Sequence, residues 1–191
     1  MAGTDTRGRI LAAAEDLLAL RGFDSLRLRD IAKAAEISIG SIQHHFETRD
    51  EVLLETLRTA GRRRAEQWSQ LAADGTTPSA RVHALIRGAL GERHRCIVWV
   101  ETCAAATRHP ALVADVQRTQ EAWRAAFSAA IEEGVRSGAF TPATPVPEVV
   151  DVLVGLVDGL MLAVAVEDDE TTHRYRVDLL ERATARLLGE A

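Results

Sequence analysis

Apolar residues recur at three- and four-residue spacing along most of the chain, which is the pattern of amphipathic α-helices. The first periodic segment, residues 5–21, places Ile10, Ala14 and Leu17 on one face and ends before Gly22. Eight further helices are predicted over residues 27–35, 38–46, 48–73, 78–90, 92–107, 110–136, 147–166 and 171–188. No segment alternates as a strand does, so we expect an all-α fold of about nine helices.

The composition indicates a folded globular protein, because 47% of the 191 residues are hydrophobic and 27% are charged. The charge is divided unevenly. Residues 1–64 carry 11 basic and 10 acidic side chains, or +1, and the remainder carries 12 and 18, or −6, which together give the net −5. Any contact with nucleic acid must therefore be local.

The cysteines and the apolar segments bear on the cellular compartment. Cys96 and Cys103 are seven residues apart, which on one helix separates them by about 10 Å, beyond disulfide reach. The apolar stretch 146–166 contains Glu148, Asp151 and Asp158, and charges at the centre of a bilayer are costly. The N-terminus has no signal-peptide core. We therefore expect a reduced, cytoplasmic protein with no membrane partner.

The segment 28–46 predicts two short helices joined by a tight turn at Glu36 and Ile37. Its apolar positions are expected to form one small core: Ile31, Ala32, Ala35, Ile37, Ile42 and Phe46. The outward face of the second helix then carries Ser38, Ile39, Ser41, Gln43, His44 and His45. A helix-turn-helix places such a helix in the major groove of DNA, where an amide side chain can bond to adenine.

The order Ile-Ala-x-x-Ala-x-Ile-Ser-x-Gly-Ser-Ile-x-x-His-Phe, followed by Thr48-Arg49-Asp50-Glu51, resembles the TetR family of transcriptional repressors. The resemblance extends over residues 7–57, and residues 43–46 and 99–140 are similar to a BetI-like, choline-responsive branch. It implies a DNA-binding domain over residues 1–50 and an effector-binding and dimerisation domain over residues 51–191. It also implies a homodimer that a small molecule releases from operator DNA.

Three positions depart from the family pattern. Glu36 stands where the family usually has glycine, and a left-handed residue with a side chain costs roughly 1–2 kcal/mol. Arg27 replaces a Ser or Thr that caps the second helix, and Gln43 replaces a common tyrosine. The operator sequence therefore does not follow from relatives.

The pattern and the resemblance together nominate residues for DNA contact. These are Arg27, Lys33, Ser38, Ile39, Ser41, Gln43, His44, His45 and Arg49. A metal site at the adjacent histidines is not expected, because neighbouring helical side chains diverge by about 100°. The basic run Arg62, Arg63 and Arg64 is expected to form a solvated or salt-bridged face.

The C-terminal region offers a candidate effector pocket lined by aromatic and soft side chains. The residues are Trp99, Cys103, Trp123, Phe127 and Met161. Such stripes also suit ordinary core packing, and that alternative stays open. A cage for a cationic ligand, with Glu101 or Asp158 as counter-charge, is a further alternative.

The helices over residues 147–166 and 171–188 are predicted to form the homodimer interface. The first is apolar nearly all round and carries Gly155 and Gly159, which permit close approach of another helix. The second has Tyr175, Leu179 and Ala183 at four-residue spacing. Two such hairpins would close a four-helix bundle, although a core within one subunit is the alternative.

No nucleophile, carboxylate pair or metal-ligand set stands at a workable spacing, so we expect no enzyme activity and no cofactor. The leading hypothesis is a ligand-responsive DNA-binding regulator. The alternative is a helical small-molecule-binding protein without DNA function, which gives no reason for the compact helix-turn-helix.

Overall fold

The computed structural model describes residues 2–167 and 169–190, with side chains placed for residues 6–72, 75–167 and 169–190. Within these residues every regular element is helical, which confirms the all-α prediction. The α-helices are α1 (Ala2–Arg21), α2 (Leu28–Ala34), α3 (Ile39–His45), α4 (Arg49–Asp74), α5 (Pro78–Leu90), α6 (Arg93–Ala106), α7 (Val113–Ser137), α8 (Val146–Val166) and α9 (Glu170–Leu188). A 3-10 helix covers Pro110–Leu112.

The start of α7 is the main difference from the predicted boundaries. A single helix was expected from Pro110 onward, but its first turn is a separate 3-10 helix in which the Leu112 amide donates to the His109 carbonyl at 2.9 Å. Tight turns of this kind are frequent at helix N-termini, and Pro110 fits there because it has no amide hydrogen to satisfy.

The chain forms two compact units. The first comprises residues Met1–Arg63 and Val98–Val116, and the second comprises Arg64–Ile97 and Gln117–Ala191. Helices α4, α6 and α7 each contribute residues to both units. This division by compactness differs from the predicted functional boundary at residue 50, which stays a prediction.

The first unit has its own apolar core, built mainly from α1 to α4. Ile31 and Ala32 of α2, Ile42 of α3 and Phe46 all belong to this core and are at most 5% exposed. Burial of a side chain of this size stabilises the fold by about 1.5–3 kcal/mol. The side chains predicted for the small helix-turn-helix core thus hold α2 and α3 together, with Ile37 half-buried at the edge.

Polar side chains begin the short helices. Ser38 Oγ accepts from the Ser41 amide at 3.1 Å, and Thr48 Oγ1 accepts from the Glu51 amide at 3.1 Å, so each hydroxyl caps the helix that follows it. The Glu51 carboxylate in turn accepts from the Glu47 amide at 2.6 Å, one residue before the amide that a capping box uses. At α2 the Asp30 carboxylate accepts from the Arg27 amide at 3.2 Å, so the helix start receives a polar partner despite the arginine.

The turn between α2 and α3 is left-handed at Glu36, where φ is +55°. Its amide donates to the Lys33 carbonyl at 3.3 Å, and the Ile37 amide donates to the Ala32 carbonyl at 3.0 Å, which closes α2. The strain predicted from the missing glycine is therefore present in the fold.

Glu36→Gly is expected to raise the free energy of unfolding by about 1 kcal/mol, because glycine adopts this conformation without steric cost. Urea unfolding measures the change as a higher midpoint with an unchanged slope. Glu36→Ala is the control, since alanine meets the same strain and should give no gain. Equal stability of the two variants would contradict the strain at this turn.

In the second unit α5 packs against α8 and α9, and α8 packs against α9. Apolar side chains of α8 that face this core are at most 4% exposed, and Leu180 and Leu188 of α9 are equally buried. The inner face of each C-terminal helix is therefore occupied within the subunit.

Candidate nucleic-acid interface and ligand site

Helix α3 separates an apolar side from a polar side. Ile42 and the C-cap Phe46 are 0% and 3% exposed, whereas Gln43 and His44 lie on the exposed face. The other predicted contact residues in or next to α3 differ in exposure. Ser38 and Ile39 are exposed, and Ser41 and His45 are half-buried. The helix thus has a free surface that offers an amide, hydroxyls and imidazoles.

Arg27 and Lys33 flank this surface on the preceding helix. Arg27 is the N-cap residue of α2, Lys33 lies in its last turn, and both are exposed. The Arg9 guanidinium, in contrast, donates to the Ala35 carbonyl at 2.6 Å and ties α1 to the end of α2. Two of the predicted cations are therefore accessible at the helix-turn-helix.

Arg49 has a different environment from the other predicted contact residues. Its Nε donates to the Leu26 carbonyl at 2.8 Å, a terminal nitrogen donates to the Phe23 carbonyl, and the other pairs with Asp50 at 2.6 Å. The guanidinium carbon also lies 5.0 Å from the Phe23 ring centroid. These contacts favour a structural role at the connection between α1 and α2, and the contact of Arg49 with phosphate stays a prediction.

The adjacent histidines contact each other, with ring centroids 5.3 Å apart in an edge-to-face arrangement. On the other side of the motif the Arg7 guanidinium lies 5.3 Å from the Phe46 ring centroid. Among the residues whose side chains are placed, no group of three or more His, Cys, Asp or Glu is arranged to hold a metal ion.

The basic run on α4 divides into exposed and buried members. Arg62 pairs with Glu55 at 3.1 Å and Arg63 with Glu15 at 2.5 Å, both exposed as expected. The expectation is wrong for Arg64, which is 8% exposed. Its inward position follows from helical geometry, because Arg64 and Trp68 are four residues apart and share a face.

Arg64 belongs to a buried cluster in the second unit. Its terminal nitrogens donate to the carbonyls of Arg95 at 2.8 Å and Ala89 at 3.2 Å, and its guanidinium carbon lies 5.5 Å from the Trp68 ring centroid. Trp68 in turn stacks on Trp123, with ring centroids 4.5 Å apart and an interplanar angle of 15°. Sequence reasoning missed Arg64 and Trp68, although their four-residue spacing was a usable signal.

The predicted effector residues fall into both units. Trp123, Phe127 and Met161 lie in the second unit and are 0% exposed, and the rings of Trp123 and Phe127 are 6.2 Å apart. Trp99 and Cys103 belong to the first unit, where Trp99 is buried and Cys103 half-buried. Trp123 and Phe127 thus pack together on α7, and Trp68 stacks on Trp123.

The carboxylate of Glu101 accepts a hydrogen bond within the first unit. Its carboxylate accepts from the Phe23 amide at 3.0 Å, and a Cβ at Gly22 would lie 3.4 Å from the same group. Gly22 itself has a φ of +74° and ends α1. A counter-charge role for Glu101 in a cage was one of the open alternatives, and this local bond argues against it.

A surface pocket of about 300 Å³ lies between α7 and α8. It is lined by Arg124, Ala125, Ser128, Pro147, Val150 and Asp151. Arg124 and Asp151 form an ion pair across it. None of the predicted effector residues lines this pocket.

Helices α8 and α9 each expose several large apolar side chains. On α8 they are Val152, Leu156, Leu162 and Val166, 40–73% exposed, and on α9 they are Tyr175 and Leu179 at 59% and 41%. Gly155 and Gly159 lie among them, and a Cβ built at either position meets nothing within 4 Å. We call this set the α8–α9 face. Helix α8 is also long and apolar enough to cross a membrane, and 44% of its most apolar stretch is buried within the fold.

Two family profiles match the chain. Residues 10–56 match one described as bacterial regulatory proteins of the tetR family. Residues 78–189, more than half of the chain, match one described as the C-terminal part of BetI-type transcriptional repressors. The first match contains the helix-turn-helix, and the second contains α5 to α9.

Curated relatives are named as transcriptional regulators. The repressor KstR2 of Mycolicibacterium smegmatis is 27% identical over 139 residues, which cover 71% of this chain and 68% of that protein. The regulator CymR of Pseudomonas putida is 40% identical over 52 residues, covering 27% and 26% of the two chains.

Solved structures share the fold. A regulator from Saccharomonospora viridis in complex with choline superposes with a TM-score of 0.85 at 23% identity, covering 94% of this chain and 95% of that one. A TetR-family regulator from Rhodococcus sp. gives a TM-score of 0.81 at 23% identity, covering 96% and 99%. With its helix-turn-helix and helical C-terminal region, this chain belongs to the TetR family of bacterial transcriptional regulators and has a BetI-type C-terminal domain.

Proposed function

We propose that this protein is a homodimeric repressor that binds operator DNA through α3 and is released from it by a small-molecule effector. The observation that carries the proposal is the two-sided character of α3. Its apolar side is buried in the first unit, while Gln43 and His44 face solvent. Surface helices commonly have a polar outer face, and here that face lies on the second helix of a helix-turn-helix, the element that enters the DNA major groove.

The DNA contacts are assigned by chemistry. Gln43 is proposed to bond to a base edge, and Ser41 to a base or a phosphate oxygen. The remaining proposed contacts are with the phosphate backbone, which positions the protein without reading sequence. The side chains proposed to make them are those of Arg27, Lys33, His44 and His45. Ser38 and Ile39 are proposed to contribute their backbone N–H groups.

The α8–α9 face is proposed as the homodimer interface. Its side chains are apolar and exposed, and the open space at Gly155 and Gly159 suits the close approach of a second copy. A two-fold axis would place the same face on both subunits and form a four-helix bundle. Covering α8 in this way accounts for its apolar outer side within a cytoplasmic protein, without a membrane.

Effector binding is proposed to act through α4. This helix begins beside α3 and continues into the second unit, where it carries Arg64 and Trp68. A change at those residues would alter the separation of the two recognition helices in the dimer. Linkage then requires DNA to weaken effector binding by the same factor. Catalysis is not part of the proposed role.

Selection from a pool of random DNA duplexes tests the proposal. The unliganded protein is expected to enrich a palindrome with half-sites about one helical turn apart, near 34–36 Å. Fluorescence anisotropy should show binding that weakens steeply with salt. Enrichment of no sequence, together with no anisotropy change at low salt, would overturn the proposal and favour a small-molecule-binding protein.

A further inference from the structure

The buried cluster of Arg64, Trp68 and Trp123 contains hydrogen-bond donors that have no acceptor. Arg64 Nε, Trp68 Nε1 and Trp123 Nε1 are all buried without a hydrogen-bond partner. The two rings are at most 1% exposed and Arg64 is 8% exposed. Buried polar groups are nearly always paired, so three orphaned donors in one cluster indicate a missing acceptor.

The chemistry of the donors defines what would satisfy them. Guanidinium and indole N–H groups donate and do not accept, so the missing partner must supply acceptor oxygens. Apart from their N–H groups the indole rings are apolar, which suits the body of an organic molecule. An acceptor-rich head on an apolar body matches this combination.

The charge around the cluster favours an anion. Arg64 remains protonated at neutral pH although burial lowers its pKa, and the charges of Arg95 and Asp158 also act on it. Cys96 lies beside Arg64, but burial raises the pKa of its thiol, so it supplies no thiolate as counter-ion. Arg95 is itself paired with Glu92 at 3.0 Å, so the preference for an anion rests on the buried guanidinium of Arg64 and its unpartnered Nε.

The same arrangement disfavours a cationic ligand. A quaternary ammonium group would bind over an aromatic face, and the guanidinium of Arg64 already lies 5.5 Å from the Trp68 centroid. The other partner of the stack, Trp123, is covered by Trp68 at 4.5 Å. The cation site of the ring pair is thus filled by the chain itself.

We propose that Arg64, Trp68 and Trp123 form a subsite for the carboxylate of an organic acid effector. This inference rests on the proposed effector-dependent function, because it identifies the chemical class of that effector. Arg64 supplies the charge and one N–H donor, and the indoles supply two further donors. The ring edges beside the indole N–H groups contact the apolar part of the acid.

The test compares acids with amides of the same shape. Phenylacetate, benzoate and hexanoate are titrated against phenylacetamide, benzamide and hexanamide, with choline as the cationic probe, using tryptophan fluorescence and calorimetry on the full chain. At least one acid is expected to quench the tryptophan emission and to bind about tenfold or more tightly than its amide, because a charge-assisted hydrogen bond is lost in the amide.

Single-residue variants test whether Arg64 and Trp68 cause the preference for acids over amides. Arg64→Gln is expected to abolish the preference for acid over amide, whereas Arg64→Lys should retain part of it. Arg87→Gln makes the same change at an exposed arginine paired with Glu181 and should leave the preference intact. Trp68→Phe keeps an aromatic ring but removes one N–H donor, so the affinity for the acid should fall approximately threefold. This variant tests the subsite independently if Arg64→Gln fails to fold.

The inference is overturned if acids and amides bind equally, if none of the acids binds, if choline binds in preference to the acids, or if Arg64→Gln keeps the selectivity. Equal binding would also be the result if buried water satisfies the donors. Operator selection is measured separately. Its failure with acid selectivity intact would overturn the proposed DNA function alone.

Discussion

Leu156→Arg is expected to convert the proposed homodimer into a monomer and to abolish high-affinity operator binding. Leu156 is 40% exposed on the α8–α9 face, so an arginine there is solvated in the separated subunit. In a two-fold interface the same change occurs twice and places two charges against apolar surface, which is costly without partners. We expect the dimer dissociation constant to rise at least about a hundredfold. Sedimentation should then give the 20.8 kDa mass of one chain.

Leu20→Arg is the matched control for this change. Leu20 is 78% exposed on α1, in the first unit, and should tolerate the substitution without any effect on the mass in solution. Operator affinity of Leu156→Arg should fall by about 10²-fold or more, because two linked half-site contacts become independent. A folded Leu156→Arg that stays dimeric would move the interface away from the α8–α9 face.

The double variant Ser41→Ala and Gln43→Ala is expected to lose sequence-specific binding and to retain weak, salt-sensitive binding. A bidentate contact with a base contributes about 1–3 kcal/mol of discrimination, and the dimer loses it at both half-sites. We therefore expect the affinity for the selected operator to fall by about a hundredfold or more. Binding to unrelated DNA depends on phosphate contacts and should change little.

Anisotropy titrations with the selected and a scrambled duplex measure this difference. Ser69→Ala and Gln117→Ala remove the same two side-chain types at exposed positions outside the helix-turn-helix and should leave operator affinity unchanged. Unfolding curves establish that α3 is intact in the double variant, since Ile42 remains as its buried anchor. If specificity persists, α3 does not read the bases.

The helix-turn-helix was accessible from the sequence because its signals are local. Ser38 and Thr48 cap the helices that they precede, and Glu36 adopts the left-handed conformation expected in place of a glycine. Each of these properties depends on residues within four positions along the chain. The same holds for the buried and exposed sides of α3, which follow from its periodicity.

The roles of individual arginines were less accessible. Arg49, Arg62 and Arg64 have the same side chain and occur on one helix, yet the first bonds to carbonyls of the α1–α2 connection and the last is buried beside Trp68. A long side chain reaches partners distant in sequence, and the choice among them depends on which helices pack nearby. Trp68 and Trp123 likewise meet across 55 residues.

The periodicity and caps of this chain were sufficient to predict an all-α fold and the place of α3, and the resemblance of its motif was sufficient to predict the family. Tertiary structure alone decided which cations stay in solvent, that Glu101 serves the end of α1, and that two indoles and a guanidinium form one buried cluster. The physical reason is the distance along the chain over which each interaction acts. Backbone geometry and capping act within one or two turns, whereas burial and pairing depend on contacts between segments far apart in the chain.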